Sequence, residues 1–262
     1  MSDYESLLWS VEGHVATITM NRPEKKNAIS AVMFGELRAV FDRAATDDGV
    51  RAVVLTGAGD AFCSGADLSD PNNMLSDPLD FRDRMTRIHG LVRSFIECPK
   101  PTIARVTGVA AGAGCNLALG CDLIVASTDA SFAELFVKRG LVVDFGGTWT
   151  LARVLPLHKA KELALLGETI SALEADRLGL LNRLCEPGEI DAVVKDLAER
   201  LAGMPPRTMA MLKQNLNRSH DRTLDENLDA ESISQTLAFA SEDTREAVMA
   251  WLEKREPRFT GK

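Results

Sequence analysis

Between residues 51 and 120 the chain twice runs a short apolar strand into a glycine-rich loop and then a helix. The first copy is "RAVVLTG" followed by "GAGDAFCSGADL". The second is "PTIARVTG", then "VAAGAG", then the short helical stretch "CNLALGCD", with another strand, "LIVAS", directly behind it. A strand that is apolar throughout is covered on both faces. Strands alternating with helices imply an α/β fold with a parallel sheet. A glycine loop after a strand lets main-chain N–H groups come close to a ligand.

The flanks fit this frame. "LLWSVEGHVATITMNRP" alternates around a Glu-Gly turn and reads as a hairpin. Ser30 is a capping residue, and Val32, Leu37, Val40 and Phe41 follow it at helical spacing. Residues 69–78 are polar and contain proline, which marks a loop, read as mobile; a helix over Leu79–Glu97 then runs until Pro99 and Pro101 stop it. After about residue 150 the pattern reads as helical throughout, with longer amphipathic helices from Asp191 onward. The chain therefore divides into a core over 1–200 and a helical region over 201–262, which packs against another subunit or back onto its own core.

Composition narrows the function. With 38 acidic residues against 30 Lys and Arg, the net charge of −8 argues against a nucleic-acid or membrane-surface role. No apolar stretch is long enough to span a bilayer, and the acidic start lacks a signal-peptide pattern, so a cytoplasmic protein is expected. Cys63, Cys98, Cys115, Cys121 and Cys185 are odd in number and form no CxxC pair, so reduced, mostly buried thiols are expected rather than disulfides or zinc. His14, His89, His158 and His220 stand apart from carboxylate clusters, and no metal site is expected.

"GVAAGAG" is not GxGxxG and lacks a well-placed acidic ribose reader, which argues against a dinucleotide site. Ser64 has no GxSxG elbow and no histidine near it, which argues against a serine hydrolase. Two glycine loops together suggest something else. If Ala66 and Ala113 both stand at strand ends, their N–H groups converge on one point and form an oxyanion hole. Such a pair stabilises the enolate formed when a thioester loses an α-proton.

At these residues the chain resembles the crotonase, or enoyl-CoA hydratase/isomerase, family. The resemblance rests on "NRPEKKNAIS", "AFCSGADL", "VTGVAAGAGCNLALGCDLIVAS" and "GLVVDFGGTWTLARVLP", in that order, with "ALLGETISALEADRLGLLNRL" and "WLEKREPRF" closing the chain. It implies a superhelix of repeated ββα units with a helical C-terminal region. It implies a homo-oligomer, a trimer or a dimer of trimers, and an acyl-CoA thioester held by the amides of Ala66 and Ala113. Coenzyme A enters as part of the substrate, and no other cofactor is implied. The segment from Lys25 to Ala28 and the backbone of Ala66, Asp67 and Leu68 would line its pantetheine and adenine, with Lys25, Lys26 and Lys254 near the phosphates.

The resemblance also separates two reactions. Hydratases of this family use two glutamates, and the matching positions here are Asn116 and Phe136, so both carboxylates are missing. Asn116 is not a base and Phe136 carries no proton. Glu134 lies two residues before Phe136; it is read as a surface or supporting residue, with a local shift letting it stand in as the alternative. Some isomerases of the family resemble this chain in carrying an acid just before the Gly-Gly pair, here Asp144. One carboxylate in an apolar pocket suffices for moving a double bond, and Val142, Val143 and Phe145 would supply that pocket, with Trp149 nearby. Desolvation would raise the acid toward general-base strength. The competing role for Asp144 is capping the helix that follows. An enoyl-CoA isomerase is thus the leading expectation, including action on ring-derived phenylacetyl-CoA intermediates. An enoyl-CoA hydratase and a non-catalytic acyl-CoA-binding protein are the alternatives.

Overall fold

The chain, seen in a computed structural model, is described over residues 4–73 and 78–262. Strands β1 (Leu7–Glu12) and β2 (Val15–Met20) form the expected antiparallel hairpin. Helix α1 (Ala31–Thr46) starts at Ser30, whose hydroxyl accepts the Met33 N–H at 3.2 Å. Its inward stripe is Met33, Leu37, Val40, Phe41 and Ala44. Val32, expected on that face, sits one position off the stripe and is exposed. Strand β3 (Ala52–Gly57) is buried at every residue. Helix α2 (Pro78–Ile96) follows, and the expected loop before it is a 3-10 turn at Pro71–Asn73 that then enters residues outside the described ones.

From there the chain coils. Strands β4 (Thr102–Val106) and β5 (Val109–Ala111) lead into α3 (Ala113–Leu119), and β6 (Leu123–Ser127) leads into β7 (Ser131–Ala133). Helices α4 (Gly147–Val154) and α5 (Leu157–Leu166), strand β8 (Thr169–Ser171), helix α6 (Ala172–Arg177) and strand β9 (Arg183–Cys185) come next. Each turn gives one strand to each of two sheets. The larger runs β1-β2-β3-β4-β6-β9, parallel from β2 onward, and the smaller runs β5-β7-β8. This is the expected superhelix of ββα turns.

The expectation of helix throughout after residue 150 was wrong at β8 and β9. Each is three residues long and has no buried residue, so neither carries an apolar run that sequence could reveal. The same brevity hid β5 inside the second glycine loop, and β7.

Helix α7 (Ile190–Ala202) lays Ile190, Val194 and Ala198 on Val54, Ile103 and Val125, closing one face of the main sheet. The other face packs on α1 and α2 in the principal core. That double cover explains the uninterrupted apolar run of β3. Helices α8 (Pro206–Arg218), α9 (Leu224–Phe239) and α10 (Glu242–Glu253) complete the chain. Lys213 ties α8 to the core through Asp122 at 2.7 Å and the Lys100 carbonyl at 3.1 Å. Leu212, Leu216, Leu228, Leu237, Phe239 and Trp251 on these helices remain exposed. All five cysteines are free thiols, four of them buried. Among the described residues no helix is long and apolar enough to cross a membrane.

Candidate active site

The two glycine loops are zipped together. The Cys63 N–H donates to the Val109 carbonyl at 2.9 Å, and the Ala111 N–H donates to the Cys63 carbonyl at 2.9 Å. One rung further along, Ile29 donates to the Gly65 carbonyl at 2.8 Å and receives the Asp67 N–H at 2.9 Å. Gly65 and Gly114 make this approach achievable. Gly65 has φ +101°, and a Cβ there would stand 2.8 Å from the Ala111 carbonyl oxygen. At Gly114 a Cβ would overlap the Cys63 carbonyl oxygen.

Two amides are left over. The Ala66 N–H falls between the rungs, and the Ala113 N–H opens α3, where the first amides have no partner within the helix. Among the described residues neither donates to a main-chain carbonyl. The Cβ direction of Gly65 reaches within 3.7 Å of the Ala113 nitrogen, so the two loops meet at this level. Unsatisfied amides in a folded interior are uncommon.

Asp144 lies just before α4, between Val143 and Phe145. Burial pushes its carboxyl up to about 6, while His89 and Arg84 of α2 act in the opposite direction. It does not cap the helix. The cap is Gly146, left-handed at φ +80°, and no side chain bonds there. What Asp144 gives α4 is its carbonyl, which accepts the Gly147 N–H at 2.9 Å. Its carboxylate accepts no hydrogen bond among the described residues, so it is free to take a proton. Phe145 stands in the left-handed region at φ +55°, an uncommon state for a bulky residue. It is held there by Phe95, with ring centroids 5.7 Å apart, and by Phe34 at 6.0 Å. Val142, expected to line the pocket, is 82% exposed and does not; of its two companions Val143 is half-buried and Phe145 buried.

Asn116 is fully buried on α3 and reaches Asp144: its Nδ2 donates to the Asp144 carbonyl at 2.9 Å and to Glu134 Oε2 at 3.4 Å. Of the two places the sequence left for Glu134, surface or supporting, the surface one is wrong: it is 0% exposed, behind Asn116 and Cys115. Burial pushes its carboxyl up to about 8, with the charge of Asp144 adding to the rise. Parity with Phe132 was the available signal, since alternate residues of an extended segment share a face. Phe136 is buried against Gly112, and Trp149 lies under the Arg153 guanidinium at 3.8 Å. His89 is exposed, as expected of it, but lies within electrostatic reach of Asp144, which the sequence did not reveal.

The expected coenzyme A segment forms one ledge. Ala28 is buried and Leu68 half-exposed; Lys25 and Lys26 are exposed, and Lys25 Nζ lies 3.4 Å from Ser69 Oγ. Arg22 bonds the Ala28 carbonyl at 2.6 Å and Asp67 at 2.9 Å. Hydrogen bonds from Ser69, then Arg22, hold the Asp67 carboxyl below its usual range. Asp67 is thus engaged through both side chain and amide, while the neighbouring Ala66 amide donates to no main-chain carbonyl among the described residues. Ser64 donates its hydroxyl to the Lys25 carbonyl at 3.2 Å. Lys254 is exposed at the end of α10.

Residues 10–262 match the family described as enoyl-CoA hydratase/isomerase. The 1,2-epoxyphenylacetyl-CoA isomerase of Escherichia coli (strain K12) is 42% identical over 98% of this chain and 99% of its own. The short-chain-enoyl-CoA hydratase of Clostridium acetobutylicum is 34% identical, covering 97% of each chain. An enoyl-CoA hydratase subunit from Geobacillus kaustophilus HTA426 superposes over 100% of both chains with a TM-score of 0.93 and 36% identity.

Proposed function

The chain belongs to the enoyl-CoA hydratase/isomerase family, and from that premise we propose that it moves a carbon–carbon double bond within an acyl-CoA thioester, with Asp144 as the proton shuttle. The observation that carries this reading is a single unpaired, largely desolvated carboxylate on the loop before α4, while Asn116 and Phe136 occupy the two places where a hydratase would carry glutamates.

The thioester oxygen accepts hydrogen bonds from the Ala66 and Ala113 amides. Asp144 takes a proton from C2 of a 3-enoyl thioester. The C–H electron pair moves toward the thioester oxygen, giving a dienolate, and the same acid returns the proton to C4, leaving a 2-enoyl product. Each amide contributes roughly 3–4 kcal/mol to the charged intermediate, and the positioned base about 10²–10⁴-fold in rate. Coenzyme A arrives with the substrate, and no further cofactor takes part.

The test is a panel of 3-enoyl-CoA and ring-derived phenylacetyl-CoA thioesters followed by mass spectrometry in deuterated water. Isomerisation with deuterium exchange supports the reading. The competing reaction is water addition to a 2-enoyl-CoA, favoured by the hydratase names among the relatives and by the nearness of Glu134 to Asp144. It requires a second carboxylate open to substrate, and Glu134 is covered. Rapid hydration of crotonyl-CoA without isomerisation would replace the first reading with this one.

The base must be ionised to act. Because the Asp144 carboxyl stands near 6, kcat/KM is expected to rise with pH through about 6 and level off above it. A pH–rate profile with no inflection in that range would contradict the assignment.

We also propose a trimer or dimer of trimers, supported by the apolar side chains that α8–α10 leave exposed, Leu216, Leu237 and Phe239 among them. Sedimentation is expected to give a mass near a multiple of three chains, reduced by Leu237→Asp. A monomer at micromolar concentration would end this part.

A further inference from the structure

Glu134 has no part in the chemistry above, yet it is completely buried at the end of β7. The groups that face its carboxyl are Cys115 and Asn116 of α3 and, from the loop before α4, Asp144. The main chain of Glu134 lies near the end of α5, where a Cβ on Gly167 would stand 3.2 Å from its carbonyl. The two cationic groups in the neighbourhood, Arg84 and His89 of α2, act on Asp144. A carboxylate with no cation among its partners is costly to keep charged in an interior.

The local hydrogen bonding agrees. Glu134 Oε1 and Asn116 Oδ1 are both buried and, among the described residues, both lack a partner. Two acceptor oxygens in one pocket call for a proton, which an acid O–H supplies and a carboxylate does not. Asn116 in turn is fixed on its other side: its Nδ2 holds the Asp144 carbonyl at 2.9 Å, and a Cβ on Gly147 would overlap its carboxamide. Glu134 therefore backs the residue that clamps the base.

We propose that Glu134 is a positioning residue for Asp144, acting through Asn116, and that it works as the uncharged acid. This rests on the reading of Asp144 as the base. Ionising Glu134 would do two kinds of harm. It would draw Asn116 Nδ2 away from the Asp144 carbonyl, and it would set a second negative charge behind the dienolate. The role predicts an alkaline limit to turnover that belongs to Glu134 and to no group touching the substrate.

The experiment compares wild type, Glu134→Gln and Glu134→Leu as full-length proteins on a 3-enoyl-CoA across pH, with carbon-13 NMR of glutamate side-chain carboxyls alongside. Wild-type kcat is expected to fall again as pH passes about 8, where burial places this carboxyl. Glu134→Gln keeps a hydrogen-bonding group without a charge; it is expected to turn over more slowly at neutral pH but to lose the descending limb. Glu134→Leu is expected to lose about tenfold or more in kcat with KM within about twofold, the loss that one missing hydrogen bond near 1.4 kcal/mol produces. A descending limb that persists unchanged in Glu134→Gln overturns the proposal, as does undiminished kcat in Glu134→Leu. If the leucine protein fails to fold, the glutamine profile decides. The NMR signal missing from Glu134→Gln is expected to titrate near 8 in wild type; titration in the ordinary carboxylate range overturns the proposal by itself. Wild-type inactivity on every isomerisation substrate would instead defeat the isomerase reading, and the NMR titration keeps the two failures apart.

Discussion

An Asp144→Asn protein is expected to bind acyl-CoA normally and to lose about 10²–10⁴-fold in kcat, the usual contribution of a positioned general base. The amide is nearly isosteric with the acid, and the clamp from Asn116 Nδ2 and the Gly147 N–H grips the main-chain carbonyl of residue 144 rather than its side chain, so the loop stays in place. The same substitution is expected to stabilise the fold. Burial raises the folded-state carboxyl from 3.8 to about 6, so the folded protein holds a proton there that the unfolded chain releases. Stability from this group is fully present below pH 4, declines as pH rises toward 6, and is lost above it. A shift of about two units corresponds to at most about 3 kcal/mol, and asparagine recovers part of it because it never ionises. Denaturant unfolding should thus show the variant more stable than wild type at pH 7 and the gap closing toward pH 4. Near-normal turnover would remove Asp144 from the chemistry. A variant less stable at pH 7 would mean that the carboxylate is paired rather than stranded.

Gly114→Ala is expected to be the most damaging change outside the carboxylate. The new methyl would overlap the Cys63 carbonyl and crowd its Sγ at 2.7 Å, and a main-chain oxygen in a hydrogen-bonded rung has nowhere to go. The rungs must part, and the Ala66 and Ala113 amides part with them. Losing effective use of one donor costs roughly 3–4 kcal/mol of transition-state stabilisation, or about 10²–10³-fold in kcat. Gly35→Ala is the control. It lies in α1 with open space around its Cβ, and alanine there should leave kcat alone and add up to about 1 kcal/mol of stability. Kinetics with circular dichroism would decide. A folded Gly114→Ala protein with full activity would show that the two amides do not act together.

Much of this frame was legible from residue patterns. The uninterrupted run of β3 signalled a strand covered twice, and α7 and α1 do cover it. Ser30 announced α1, and the paired glycine loops announced close main-chain contact. The three-residue strands β5, β7, β8 and β9 were out of reach, because alternation needs more residues than they have. Site residues were legible by type and less so by environment. Asp144 was visible as a carboxylate beside a Gly-Gly pair, but only the left-handed Gly146 cap removes capping as its role. Val142 lies in an apolar run and still faces outward. Glu134 shows the deepest limit. A lone acid reads as surface unless something marks it as interior, and its markers here, a two-residue spacing from Phe132 and from Phe136, are too short to decide.

If Ala66 and Ala113 hold the thioester oxygen as proposed, they do so with the peptide chain itself, and no codon change at either position can delete an N–H short of proline. That part of the proposed chemistry is then insulated from drift at its own two positions, while every carboxylate around it is a single substitution away from being gained, lost or moved. On such a frame a new reaction is a matter of where the acids stand. Laboratory libraries aimed at new chemistry should vary positions 116, 134, 136 and 144 together and leave the glycines of the two loops alone.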